Sequence, residues 1–203
     1  MFKFKPNIIN MNIQSATCSC SVKLYKLAAG TATSVLNQLK RNFHFRDRHI
    51  FVNLYKQYVH PHLEFSSQAW SPWLIGDIEV IEKVQEKAVR MVSGLKGTTY
   101  EERCAKLGLE TLKSRRDRQD MALAHKYVMS ERQGLFTLAS TNRGARTRRA
   151  AGERCLVKQF ARTDTRKNFF AVRAVDSWNE LPDSVRAEEK LPHFKRKLKG
   201  LAA

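Results

Sequence analysis

Acidic residues are scarce in this chain, and before Asp47 there are none. Over 203 residues, 19 Asp and Glu stand against 37 Lys and Arg, which leaves a net charge of +18 and a pI near 10.1. A chain charged in this way repels itself and attracts polyanions, of which nucleic acid is the commonest. Long apolar runs are also missing. None approaches the roughly 18 residues that a membrane span needs, which leaves adsorption to a membrane surface as the competing partner class. An acid-poor start is a property of transit peptides, but residues 1–20 carry only Lys3 and Lys5 as charges and no arginine, which argues against mitochondrial targeting.

Cysteine is sparse as well. Cys18, Cys20, Cys104 and Cys155 lack the paired Cys/His spacing of a structural zinc site. Without a secretory signal, reduced thiols in a nuclear or cytoplasmic compartment are expected, not secretion. His60 and His62, with Cys104 distant in sequence, do not have ligand spacing either. The aspartates are Asp47, Asp77, Asp117, Asp120, Asp164, Asp176 and Asp183, and no two are adjacent. Gly94, Gly97 and Thr98 are not followed by the GK[ST] ending of a phosphate-binding loop, and no serine sits in a nucleophile elbow. The paired carboxylates Glu101-Glu102 and Glu188-Glu189 read as capping and solvation. These absences point away from an enzyme and from any bound metal or cofactor.

What is present is helical periodicity. The length allows one large domain or two small ones, burying about 70% of the surface of the unfolded chain. A first helix is predicted over Leu27 to Arg41, with Val35, Leu36 and Leu39 on its apolar face. Asp47 caps a second, in which Phe51, Leu54, Tyr55 and Tyr58 recur at helical spacing, and Pro61 is expected to end it at His60. A short helix then carries Leu63, Phe65 and Trp70 as far as Pro72. The clearest signal follows Gly76-Asp77: Ile81, Val84, Ala88, Met91 and Val92 make one stripe, Glu79/Lys83 and Glu86/Arg90 lie four apart, and Gly94 suits a left-handed cap.

Thr99-x-x-Glu102 fits a capping box, and Gly108 ends that helix. Thr111 caps a longer one to about Ser130, with Leu112, Ala122, Leu123 and Tyr127 on its apolar side and Lys113, Arg115, Arg116 and Arg118 on its polar side. The stretch TNRGARTRRAAGERC has the composition of a solvated linker, and Leu156, Val157 and Phe160 suggest a short strand. Helical period returns with Phe170, Ala174 and Trp178, breaks at Leu181-Pro182, and resumes with Leu191, Phe194, Leu198 and Leu201, lysines lying opposite. Trp70 and Trp178 fall on apolar faces and read as core, while Trp73 beside Pro72 reads as more open.

An ordered series of motifs is similar to the region that follows the palm in non-LTR (LINE-type) retrotransposon reverse transcriptases, of the Jockey and chicken-repeat kind. The series runs from His62-Leu63-Glu64 and Trp70-Ser71-Pro72 through Ile81–Gln85 to Tyr100-Glu101-Glu102-Arg103. It continues with Leu107-Gly108-Leu109, Leu112, Arg115-Arg116, Asn168-Phe169-Phe170, Trp178-Asn179-Glu180-Leu181-Pro182 and Phe194-Lys195. No one of these motifs is decisive; their order and spacing over residues 29–200 carry the resemblance. Residues 1–20 depart from it, and His60 stands where arginine is usual.

The helical pattern, read together with this resemblance, predicts a mainly α fold. It comprises an irregular lead-in over 1–26, a thumb-like helical domain over 27–134, a basic linker over 135–160 and a small helical tail domain over 161–203, with the short strand near 155–160. The resemblance implies a parent activity of RNA-directed DNA polymerisation with Mg²⁺, carried by a palm whose neighbouring aspartates clamp two metals roughly 3.5–4 Å apart. These residues lack that aspartate pair, and the endonuclease as well, so the expected role is to hold RNA template or DNA target and to pack on the palm. The candidate contacts are Lys113, Arg115, Arg116 and Arg118 on one helix, with Arg143, Arg146, Arg148, Arg149, Arg166 and Lys167 in and after the arginine-rich stretch. Two other outcomes stay open: an inert, degenerate and aggregation-prone fragment, or an independent basic interaction protein with a non-nucleic partner.

Overall fold

The computed structural model describes residues 18–43, 47–130, 134–139 and 154–201, and side chains from residue 24 onward. The fold is mainly α, as the sequence pattern predicts. Helix α1 spans Cys18–Asn42, nine residues ahead of the predicted start at Leu27. Tyr25, Ala29, Ala32, Leu36 and Leu39 bury one face of it, so Tyr25, within the expected lead-in, belongs to the core. Small alanines between large residues give a shallow stripe, and that is why hydrophobic periodicity alone starts the helix late.

Asp47 does cap α2, Arg48–Leu54, its carboxylate accepting from His49 N. The chain then passes through Pro61 rather than stopping before it. Residues Tyr55–Val59 widen into a π turn, in which the His60 N–H bonds to the Tyr55 carbonyl, and α3 continues over His60–Glu64. Proline lacks an N–H and crowds the carbonyl four residues back; the wider turn relieves both, so the helix is re-phased instead of broken. The re-phasing decides which side chains face inward: Phe51, Val52, Tyr55 and Val59 are buried, and Tyr58 is exposed. Ser66, at φ +52, then turns the chain into α4, Ser67–Trp70.

Helix α5, Ile75–Arg90, carries both predicted ion pairs, Lys83–Glu79 and Arg90–Glu86. It ends at Arg90, and Gly94 takes its left-handed φ of +82 in the loop beyond, not at the cap. In α6, Tyr100–Leu107, Thr99 and Glu102 form both bonds of the capping box, and Gly108 is the left-handed cap at φ +60. Thr111 caps α7, Leu112–Met129, by accepting from Ser114 N at 3.2 Å. The tail holds α8, Asp164–Lys167; α9, Phe170–Asn179; α10, Asp183–Arg186; and α11, Leu191–Leu201. In place of the expected strand near 155–160 there is one antiparallel bridge, Leu138 with Leu156, and Phe160 is exposed.

Two apolar interiors result. The first joins α1 to α6 around Leu36, Tyr55, Leu63, Trp70, Ile81 and Leu107. The second gathers Leu156, Phe170, Trp178, Val185, Phe194 and Leu198. Trp178 and Phe194 stack there at 5.7 Å, and the indole N–H donates to the Arg154 carbonyl at 3.0 Å. Burial of Cys155 and Leu156 shows that the C-terminal end of the expected linker is part of the second interior. Helix α7 belongs to both interiors: Leu112 closes the first, while Met121 and Ala124 enter the second. The expected border at residue 134 therefore does not part the two cores. Among the described residues, no helix is long and apolar enough to cross a membrane.

Candidate nucleic-acid interface

The predicted cluster on α7 is divided by its own helix. Lys113 is exposed, and its backbone N–H is held by Glu82 at 2.9 Å. Arg115 is engaged bidentately by Glu64, with Nη2 at 3.0 Å from Oε2. Burial pushes the Glu64 carboxyl up, but Arg115, His60 and Gln119 more than reverse this and leave it below the usual range. Arg116 is 3% exposed and faces the interior, where burial lowers its pKa and Nη1 has no partner among the described residues. Arg118 pairs with Glu110 at 2.7 Å. These three arginines are largely committed to the fold, because each has a carboxylate or an apolar wall within reach that pattern reading could not place.

The later candidates divide too. Arg143, Arg146, Arg148 and Arg149 lie outside the described residues. Arg166 and Lys167 are exposed on α8; Arg166 lies over the Phe169 ring at 5.4 Å and donates to Gln159 at 2.8 Å. Arg173, in the same basic run, is structural: it donates to Asp120 and to the carbonyls of Asn168 and Gln68.

Packing of α11 on α7 creates an open groove of about 570 Å³. Lys56 from the π turn, Lys126 from the end of α7, and Lys195 and Lys199 from α11 line it, together with the paired Arg115 and Arg118. The only carboxylate on its wall is Glu110, already held by Arg118. Among the described residues no carboxylate pairs with Lys56, Lys126, Lys195 or Lys199. Four unpaired ammonium groups around a concave, solvated surface raise the local concentration of a polyanion rather than of a small neutral ligand. Lys195 and Lys199 were legible as one turn-spaced pair beside Phe194 and Leu198. Lys56 and Lys126 carry no local signal, since only tertiary packing brings them together.

A second cleft, of about 490 Å³ between α7, α9 and α11, contains Lys113, Arg118 and Arg173 but also Asp117 and Asp120. Burial raises both carboxyls, and the neighbouring cations counter it. Mixed charge makes this wall a poorer seat for phosphate. Among the described residues, no group of three or more His, Cys, Asp or Glu side chains is arranged to hold a metal ion. Comparisons with protein-family models, with curated proteins and with solved structures returned no match.

Proposed function

We propose that the chain is thumb and tail of a non-LTR retrotransposon reverse transcriptase and that it holds a nucleic-acid backbone in the groove between α7 and α11. The observation that carries this reading is the convergence of Lys56, Lys126, Lys195 and Lys199 on one concave wall, none of them paired to a carboxylate among the described residues. The motif series in the sequence supports the family, and the net charge of +18 supports the partner class. Lysines without guanidinium forks act as point charges on phosphates, so affinity with little base preference is expected. The working compartment is then nuclear or cytoplasmic. Joining nucleotides falls to a palm with paired aspartates, and the role here is to position the duplex.

Binding of a labelled primer-template of about 20 base pairs, followed by anisotropy between about 50 and 200 mM salt, tests the proposal. Four phosphate contacts give a log–log slope of about −3.6, at about 0.9 per contact on duplex DNA. The variant K195E/K199E removes two contacts and flattens the slope to about −1.8. An affinity that does not change with salt sinks the proposal. The rival reading of an inert fragment has its own observation, since Phe65 and Ile75 are each 78% exposed. It predicts concentration-dependent light scattering from a clean preparation and no salt-sensitive binding.

A further inference from the structure

Another concentration of positive charge lies where α1 and α5 end, on helices that contribute no wall to the α7–α11 groove. The two helices run parallel. Tyr25 donates to Asp77 in the first turn of α5, and further along, Asn37 and Lys40 share a cleft with Lys87 and Arg90 from its last turn. Both C-termini therefore open at one end of the first bundle, onto a cleft of about 630 Å³. Its walls carry Lys40, Lys87, Arg90 and Lys96, and Arg41 stands beside Lys40. Arg90 is held by Glu86 at 2.5 Å. Among the described residues no carboxylate pairs with Lys40, Arg41, Lys87 or Lys96.

Cations near a helix C-terminus satisfy its last carbonyls and its dipole, which accounts for Lys40 or Arg90 singly. It does not account for Lys96, which lies beyond both helices, or for Thr33 and Asn37, which line the same cleft. Hydroxyl and amide donors among lysines are the usual set for phosphate oxygens. A bilayer surface fits less well, because a membrane-seeking basic face shows exposed Trp, Phe or Leu next to its charges. Here the apolar lining residues are Met91, half-buried, and Val92, buried; Phe43, exposed just past Arg41, is outside the lining.

We propose that the cleft at the α1 and α5 C-termini is a second phosphate-backbone site, so that one chain holds two nucleic-acid segments at once. The cleft stands by itself; the bridging rests on the groove reading as well. The full chain is mixed with donor-labelled and acceptor-labelled duplexes, and energy transfer and anisotropy are read for the unaltered protein, K40E/K96E, K195E/K199E and the combined variant. All four substituted lysines are exposed, and far-UV circular dichroism checks that helicity is kept.

Either double variant is expected to keep duplex binding but lose energy transfer, and the combined variant to lose both. Binding and transfer unchanged in K40E/K96E overturn the second site while leaving the groove in place. Loss confined to K40E/K96E, with K195E/K199E silent, upholds the cleft and overturns the groove. A third arm uses phosphatidylserine vesicles. Vesicle binding abolished by K40E/K96E, with duplex binding untouched, assigns the cleft to a membrane and overturns the proposal.

Discussion

His60 and His125 are buried rings, each with one nitrogen that finds no partner among the described residues. His60 packs edge-on to Tyr55 at 4.5 Å, and burial pulls its pKa down to about 4. His125 stacks on Phe194 at 4.3 Å and donates from Nε2 to the Glu188 carbonyl at 2.7 Å, which leaves Nδ1 against apolar walls; burial lowers its pKa too. A histidine depressed in the folded state binds protons more readily once unfolded. Its contribution is thus complete above the unfolded pKa near 6.5 and is lost as pH falls towards the folded value. For His60 the window of about 2.5 pH units corresponds to on the order of 3 kcal/mol. Urea midpoints should fall between about pH 7 and pH 5, and H60F should remove much of that fall, leaving the share that belongs to His125.

Gln85 is fully buried and fully used: it accepts from Tyr55 Oη at 3.1 Å and donates to Tyr100 Oη at 3.1 Å and to the Glu110 carbonyl at 2.9 Å. The chain runs on from Tyr100 to Glu82, whose other oxygen takes the Lys113 N–H. Substituting leucine orphans several buried polar groups, so Q85L is expected to cost about 2–4 kcal/mol in chemical denaturation. A loss under about 1 kcal/mol would mean that water replaces the amide without penalty.

At the level of elements, α6 depends on its ends because it is only eight residues long. T99A removes the acceptor for Glu102 N and should cost about 1 kcal/mol, measured as a shift in denaturation midpoint; E102A adds less, since it frees one exposed N–H. This helix was fully legible in the sequence, as were the caps at Asp47 and Thr111 and the stripe of α9, because those signals are local. Three features were not. The π turn is a compromise between Pro61 and the packing on both sides of it, and sequence shows only the proline. The start of α1 rests on Ala29 and Ala32 fitting against neighbours. The inward face of α7 contains Arg116, Asp120 and His125; Arg116 falls on the polar side in the sequence until other helices supply its surroundings. The same blindness hid the groove: arginine runs were conspicuous, while the groove lysines are scattered from residue 56 to 199.

Over the whole molecule, the two interiors are joined by a polar seam. Arg115 and Gln119 of α7 hold Glu64 of α3, Ser67 of α4 donates to Gln119, and Arg173 of α9 reaches both Asp120 and the Gln68 carbonyl. Asp120 is 5% exposed, so removing Arg173 leaves a buried carboxylate without its cation. R173M is expected to destabilise by about 3–5 kcal/mol, and the double change R173M/D120L by much less. Calorimetry should then resolve two transitions in R173M where the unaltered chain gives one; a single sharp transition in both would show that the seam does not couple the halves.

Helix α7 floors the lysine groove and is also a common rafter for both interiors. Cleavage within it requires the helix to unwind locally, and a cut there deprives each half of a wall. Grip and integrity should therefore fail together: nicked protein that still sediments as a compact particle and still retains duplex is not an expected species.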